Sequence, residues 1–198
     1  MKKEYAVLIE AVTKAAALAK KRIGKVSYEL KGKSNLVTQA DIACQKKIVE
    51  IISKVFPDHG FLAEESQSGI KKDGRYLWVI DPIDGTTNYA HTFAHSAVSV
   101  ALTDCGRPVM GAVMDIFKGE LFTAVKGKGA RLNGKKIRVS CTPKLQDSLL
   151  ITGFPYDRNP IKKVHVPIFT DFLFNCHDVR RTGSAALACC WIACGRAG

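Results

Sequence analysis

Two aspartates separated by two residues form the most chemically informative pair in this sequence. Asp81 follows the apolar run Tyr76 to Ile80, and Asp84 stands directly before Gly85. A short apolar run that ends at Asp-Pro is typical of a buried strand that leads into a loop, so the two carboxylates and the Ile83 carbonyl can converge on one point. Hard oxygen ligands of this kind suit magnesium, calcium or manganese rather than zinc.

The residues after this pair, Gly85-Thr86-Thr87-Asn88, predict the start of a helix. The first backbone N–H groups of a helix have no partner within it, and together with the helix dipole they favour an anion such as phosphate. The sequence thus predicts a metal site beside a phosphate site. The simpler alternative is an Asp-Pro turn with a capping aspartate, and a solvated loop at Glu64-Glu65.

Three segments together resemble the inositol monophosphatase family of metal-dependent phosphatases: FLAEES at 61–66, WVIDPIDGTTNY at 78–89 and RRTGSAAL at 180–187. The second of these resembles the first signature of the family nearly letter for letter, and residues 127–140 resemble its central hairpin. This resemblance covers essentially the whole chain. It implies an α+β or α/β fold, a layered αβαβα sandwich of the sugar-phosphatase type, in a single domain over residues 1–198.

The same resemblance implies roles for individual residues. Glu64, Asp81 and the carbonyl of Ile83 would hold a first Mg²⁺, and Asp81 with Asp84 a second. Asp41 and Thr86 would be the catalytic residues that orient and deprotonate the attacking water. The substrate-binding residues would be Asp84, Gly85, Thr86, Gly183, Ser184 and Ala185, with Glu65 behind the metal ligands.

The implied reaction is hydrolysis of inositol monophosphate or a similar small sugar phosphate by direct attack of water, without a covalent phospho-enzyme. Fructose-1,6-bisphosphatase, histidinol-phosphatase and nucleotide 3′-phosphatase activities of the same superfamily remain open. Family members are usually homodimers, and they continue for about 60 residues beyond a helix like Ser184 to Cys194. We therefore expect a fold that is incomplete at its C-terminus and lacks an aspartate of the second metal site.

The amino-acid composition limits the kinds of function that the protein can have. The chain of 198 residues is 46% apolar and 24% charged, as expected for a globular protein. Seven cysteines without regular spacing argue against a disulfide framework and favour a reducing, cytoplasmic location. No apolar stretch approaches the roughly 20 residues of a membrane span, so no membrane partner is expected. The formal net charge of +12 permits a nucleic-acid or transcription-complex binding protein on the same scaffold, although the basic residues are scattered along the sequence.

The elements that must position these residues follow from periodicity. Helices are predicted at 4–22, at Thr38 to Val55, near 162–174 and at 184–194. The second of these begins at a T-x-x-D cap formed by Thr38 and Asp41, and Ile42 is predicted to lie on its apolar face. Strands are predicted at 76–80, 96–102, 109–114, 121–125 and 149–152, with a hairpin turn at Asn133-Gly134. Helices followed by runs of strands, without a repeat or a linker, indicate a layered fold.

Overall fold

The computed structural model of the chain describes residues 1–25, 28–31, 35–65, 74–155 and 161–198. The α-helices are α1 (Lys2–Arg22), α2 (Gln39–Ser53), α3 (Thr86–Ala90), α4 (Val166–Asn175) and α5 (Ala185–Ala193). The strands are β1 (Tyr28–Lys31), β2 (Asn35–Thr38), β3 (Gly60–Ala63), β4 (Tyr76–Asp84), β5 (Ala97–Asp104), β6 (Arg107–Asp115), β7 (Leu121–Val125), β8 (Gly129–Leu132), β9 (Lys135–Lys136), β10 (Leu149–Ile151) and β11 (Asp178–Arg180).

Helices α1 and α2 pack together through small and aliphatic side chains at helical spacing. In α1, Leu8, Val12 and Ala15 are fully buried, because positions three or four apart share one face. The predicted cap of α2 is confirmed: the Thr38 hydroxyl accepts hydrogen bonds from backbone N–H groups of the first turn, and the Asp41 side chain accepts from the Thr38 N–H.

The prediction that Ile42 lies on the apolar face of α2 is wrong. Its side chain is 48% exposed, whereas Cys44 and Ile48 are fully buried. At 3.6 residues per turn, Ile42 lies about 200° around the helix from Cys44, so it faces solvent when Cys44 faces the core.

A seven-stranded sheet in the order β3-β4-β5-β6-β7-β8-β9 forms the centre of the molecule. Strand β3 runs parallel to β4, and every other neighbouring pair in this sheet is antiparallel. The predicted turn at Asn133-Gly134 joins β8 to β9, with positive φ at both residues, as a tight hairpin turn requires. The strand predicted to end at Ile80 instead continues to Asp84, because β5 pairs with it past Asp81.

The two faces of this sheet carry different layers. Trp78 and Leu102 pack beneath α1 and α2 in the larger core, and Leu187 of α5 packs with Ala97 and Phe122 in the smaller one. A separate two-stranded parallel sheet of β10 and β11 contacts α4 through β11. The layered α+β arrangement implied by the family resemblance is therefore confirmed.

The predicted helix near 162–174 begins later than expected, since α4 starts at Val166 after a π-helical turn at Ile161–His165. Among the helices of the described residues, none is long and apolar enough to cross a bilayer. Ser66, the last residue of the FLAEES segment at 61–66, lies outside the described residues.

Candidate active site

A bulge in β4 brings the two aspartates to one side of the sheet. Asp81 pairs with Ser99 and Asp84 with Ala97, so three steps along β4 oppose two steps along β5. Residues three apart in a regular strand point to opposite faces, and the extra residue of a bulge reverses this alternation. Proline is tolerated at such a position because a ladder N–H is not required there, which explains why Pro82 can stand inside the strand.

Glu64 reaches the same place from the neighbouring strand. It follows β3 directly, and its N–H donates a hydrogen bond of 3.3 Å to the carbonyl of Ile80 in β4. Since β3 and β4 are parallel, their C-terminal ends meet at one edge of the sheet. Glu64 therefore lies beside Asp81, as the resemblance implies.

A cleft of about 910 Å³ opens at this edge. The residues that line it include Glu64, Asp81, Ile83, Asp84, Gly85 and Thr86, together with Gly183, Ser184 and Ala185. Every predicted site residue except Asp41 thus lines one cavity. The cleft is also lined by residues to which the sequence analysis gave no role, among them Ile151 of β10, residues 152–155 and Arg181.

The electrostatics of the cleft favour a cation. Burial, together with the charges of Asp84, Glu64 and Asp41, raises the pKa of Asp81 to about 8, because a carboxylate among carboxylates is costly to ionise in a poorly solvated site. One oxygen of Asp81, Oδ1, is buried and has no hydrogen-bond partner. A buried acceptor without a partner, beside a second carboxylate, is expected of a metal ligand before its ion binds.

These residues suit a magnesium ion that keeps several of its waters better than an ion enclosed entirely by protein ligands. Within the described residues, no three His, Cys, Asp or Glu side chains already form a cluster that could hold an ion. Magnesium is commonly bound through one or two carboxylates and retains several waters. Glu64 and Asp81 supply that pair, and both line the cleft.

Asp84 is held by the start of α5. Its Oδ2 accepts hydrogen bonds from the Ser184 hydroxyl and from the Ala186 N–H at 2.8 Å, and its Oδ1 accepts from the Ala185 N–H at 3.2 Å. The carboxylate satisfies N–H groups that the first turn of the helix leaves free. It therefore joins the metal side of the cleft to the predicted substrate side, and its role as a ligand of a second metal stays a prediction.

Thr86 and Asp41 form a buried hydrogen-bonded pair at the back of the cleft. The Thr86 hydroxyl lies 3.3 Å from Asp41 Oδ1 and 3.0 Å from the carbonyl of Ile83, so its one proton is shared between two acceptors. Asp41 Oδ2 accepts from both the N–H and the hydroxyl of Thr38, at 2.8 and 2.5 Å. Thr38 thus also fixes the orientation of Asp41, beyond its predicted role as a cap.

Burial raises the pKa of Asp41 to about 6, although the hydrogen bonds from Thr38 oppose the shift and the charge of Glu65 adds to it. A carboxylate with a pKa near 6 is ionised at neutral pH and still basic enough to accept a proton. The Thr86–Asp41 pair can therefore receive a proton from a water in the cleft.

Two supporting residues were missed by the sequence analysis. Gln45 is fully buried, and its amide exchanges hydrogen bonds of 2.9 and 2.8 Å with the backbone of Glu65. It lies one helical turn after Asp41, and this spacing is the signal that could have identified it. Asn88 donates hydrogen bonds to the carbonyls of His95 and Thr182 at 2.7 and 2.8 Å. No local sequence pattern predicts this link.

The two predicted substrate-binding glycines approach each other closely. Gly85 has φ +88°, and a Cβ there would lie 3.2 Å from the carbonyl oxygen of Gly183. Gly183 has φ +86°, and a Cβ there would lie 2.9 Å from the Asn88 amide. Both positions combine a left-handed conformation with a crowded backbone, so only glycine fits without a shift of its neighbours.

Comparison with known proteins agrees with this architecture. The chain is 38% identical over 193 residues to the Nus factor SuhB of Pasteurella multocida, covering 96% of this chain and 72% of that protein. It is 43% identical over 192 residues to the inositol-1-monophosphatase of Synechocystis sp., covering 96% and 67%. The share of a curated relative's length that the chain spans falls to 64% for SuhB of Salmonella typhimurium.

A solved structure shows the same fold. The extragenic suppressor protein SuhB of Bartonella henselae superimposes with a TM-score of 0.92 at 34% identity, over 98% of this chain and 76% of that one. The model of the inositol monophosphatase family matches residues 1–198. The chain therefore belongs to the inositol monophosphatase family.

Proposed function

We propose that this chain is a magnesium-dependent phosphomonoesterase that hydrolyses inositol monophosphate or a similar small sugar phosphate. One observation carries the proposal: the unpartnered buried oxygen of Asp81 beside Glu64, in the cleft that the Thr86–Asp41 pair adjoins. Family membership supports a phosphatase, and the donor set supports a hard divalent cation.

Glu64, Asp81 and the Ile83 carbonyl would hold the magnesium ion, which when bound neutralises phosphoryl charge and acidifies water. The chain supplies the remaining chemistry. Thr86 Oγ1 would accept a proton from the attacking water and pass its own proton to Asp41 Oδ1. The water oxygen bonds to phosphorus as the bond from phosphorus to the substrate oxygen breaks and releases the alcohol. The N–H groups of Gly85 and Thr86 would neutralise further charge on the phosphoryl oxygens. Gly183, Ser184 and Ala185 line the same cleft, where they would meet the alcohol of the substrate.

The test is phosphate release from inositol 1-phosphate by the purified chain, with and without Mg²⁺. Thr86→Val should lower kcat by about 10²- to 10⁴-fold, because it removes the proton-transfer path. Thr103→Val is a matched control, since Thr103 is also buried and also donates to a carbonyl, that of Leu77 at 3.2 Å in β4. Equal rates in the Thr86 variant and the unmodified chain, or full activity in EDTA, would contradict the proposal.

The substrate is tested with a panel. Fructose 1,6-bisphosphate, histidinol phosphate and a nucleoside 3′-phosphate would use the same carboxylates and differ in the contacts to their alcohol groups. The highest kcat/KM among the four substrates identifies the activity. We infer inositol monophosphate because a relative that is 43% identical carries that name.

A role in a transcription complex is a second candidate, of a different class. The relatives named as Nus factors support it, and so does the net charge of +12. RNA binding that weakens steeply with salt and persists in the Asp84→Asn variant would favour it, because phosphate-backbone contacts release counterions and do not need the cleft. RNA binding that is absent at low salt would reject it.

We also propose that the chain forms a homodimer in a reducing, cytoplasmic compartment. Several apolar side chains of α4 are exposed, among them Ile168 at 53% and Phe174 at 81%, and exposed apolar patches commonly mark interfaces. All seven cysteines are unpaired. Light scattering that gives about twice the chain mass of 21.6 kDa would support the dimer, and a monomer mass would reject it.

A further inference from the structure

The segment Lys126–Lys144 holds much of the positive charge of the chain. It contains seven basic residues and no acidic one, and it therefore contributes +7 of the net charge of +12 in 19 residues. In the sequence these residues look scattered, because glycines and apolar residues separate them. The fold brings most of them to the same edge of the main sheet, on β8, β9 and the adjoining turns.

We call this edge the basic hairpin surface, defined by Lys126, Lys128, Arg131, Lys135, Lys136 and Arg138. All of these residues except the half-buried Arg131 are exposed. In the described part of the chain, none of them takes part in an ion pair. A Cβ added at the turn glycines Gly127, Gly129 or Gly134 would meet no atom within 4 Å. There is therefore open space around these turn glycines, and the charges of the surface are not neutralised by ion pairs.

The spacing of the charges suits a phosphate backbone. Lys126 and Lys128 lie at one end of β8, and Lys135 and Lys136 lie at the other. Because β8 has four residues, the two groups are about 10–14 Å apart. That distance allows the two groups to contact different phosphates of one nucleic-acid strand.

The composition of the surface indicates the kind of partner. Residues 126–144 contain no Phe, Trp or Tyr, so this segment offers bases no aromatic ring to stack on, and its basic side chains would recognise phosphates. The large exposed apolar side chain in this segment is Val139, at 59%, which is too little apolar area for insertion into a membrane interface. None of the six residues lines the carboxylate cleft, so the surface serves no sugar phosphate bound there.

We propose that the basic hairpin surface binds the phosphate backbone of a single-stranded nucleic acid without sequence preference. The proposal rests on the second candidate function, which it supplies with a binding surface, and it is independent of the phosphatase. Lysines on the edge strand β9 would also discourage pairing with another sheet. That protective role alone predicts no affinity for a polyanion.

The experiment measures fluorescence anisotropy of a labelled oligouridine RNA of about 12 nucleotides, titrated with the full chain between about 50 and 200 mM salt. The test variant changes Lys128, Lys135 and Lys136 to Gln. The matched control changes Lys2, Lys46 and Lys54 to Gln, which removes the same charge from exposed positions on α1, on α2 and just after α2.

We expect the slope of log K against log salt to become shallower by about 2 in the test variant, because each single-strand phosphate contact contributes about 0.7. The control should retain the slope of the unmodified chain. Equal losses in both variants would assign binding to net charge and overturn the proposed surface. Unchanged binding in the test variant would also overturn it, while the second candidate function would stand.

Two further outcomes would reject the proposal. No RNA binding by the unmodified chain at low salt would reject this surface and the second candidate together. Binding to phosphatidylserine vesicles in the absence of RNA binding would assign the surface to a membrane instead. Phosphate release from inositol 1-phosphate should be the same in both triple variants, so failure of this proposal is separable from failure of the phosphatase.

Discussion

Replacing the central carboxylate of the cleft should stabilise the metal-free protein. Asp81 has an ordinary pKa of 3.8, which burial and the charges of Asp84, Glu64 and Asp41 raise to about 8 in the fold. A carboxyl whose pKa is raised by folding makes its full contribution to stability below pH 3.8 and loses it as pH rises towards 8. Asp81→Asn keeps the shape, removes the charge and can donate to a neighbouring carboxylate.

The magnitude follows from the linkage between protonation and folding. At pH 7, ionisation of Asp81 in the unfolded chain favours unfolding by at most about 4 kcal/mol, since each pKa unit corresponds to about 1.36 kcal/mol. The carboxylates interact, so protons redistribute among them and the realised gain is smaller. We expect Asp81→Asn to raise the free energy of unfolding by about 2 kcal/mol, or Tm by about 4–8 °C.

The assay is thermal unfolding in EDTA at several pH values from 5 to 9. The gain should grow as pH rises and level off near pH 8. Asp115→Asn is the control, because Asp115 is 1% exposed and does not line the cleft; it should show no such gain. Mg²⁺ should then reverse the order, since an ion at 100 times its Kd stabilises the unmodified chain by about 2.7 kcal/mol. An Asp81→Asn protein that is no more stable than the unmodified chain in EDTA at pH 8 would refute this reasoning.

Three further perturbations test individual contacts. Ser184→Ala should lower the free energy of unfolding by about 1 kcal/mol in urea, because the hydroxyl both caps α5 and donates to Asp84; no change would mean that water replaces it. His59 accepts a 3.0 Å hydrogen bond from Trp78, and burial lowers its pKa below the ordinary 6.5, so the contribution of His59 to stability should be level above pH 6.5 and fall as pH drops further. His59→Asn should remove that part of the pH dependence. Tyr89→Phe should cost about 1–2 kcal/mol, because the buried hydroxyl donates at 2.7 Å to a carbonyl of α1; a loss under 0.5 kcal/mol would show that the bond is replaceable.

Local sequence patterns predicted the elements that are long or that carry a capping or turn motif. The apolar spacing of α1 and the Thr38–Asp41 cap of α2 are properties of a few neighbouring residues, and both appear in the fold. The Asn133-Gly134 turn is equally local. Short strands such as β3 and β11 carry too few residues for a periodic signal, so they become visible only through their partners.

The candidate site likewise combines features that neighbouring residues predict with features that depend on distant parts of the chain. The spacing of Asp81 and Asp84 announced a pair of oxygen ligands, whereas the bulge that turns both to one side depends on the register of β5. The contact of Asp84 with Ser184 joins residues 100 positions apart, and no window of sequence contains both. Ile42 was misplaced because hydrophobicity alone did not reveal which side of α2 would meet α1.

The hydrogen bonds between α5 and Asp84 also bear on the order in which parts of the protein fold. The ladder between β4 and β5 closes over a short stretch of chain, whereas the Ser184 contact closes a loop of 100 residues. Contacts between distant residues form late, because the entropy of loop closure must be met before they stabilise anything. During synthesis, which proceeds at about 5–20 residues per second, the segment that carries Asp81 and Asp84 is made several seconds before the helix that orients Asp84. We therefore expect a stage of synthesis at which the sheet can form while Asp84 still lacks its hydrogen bonds from α5.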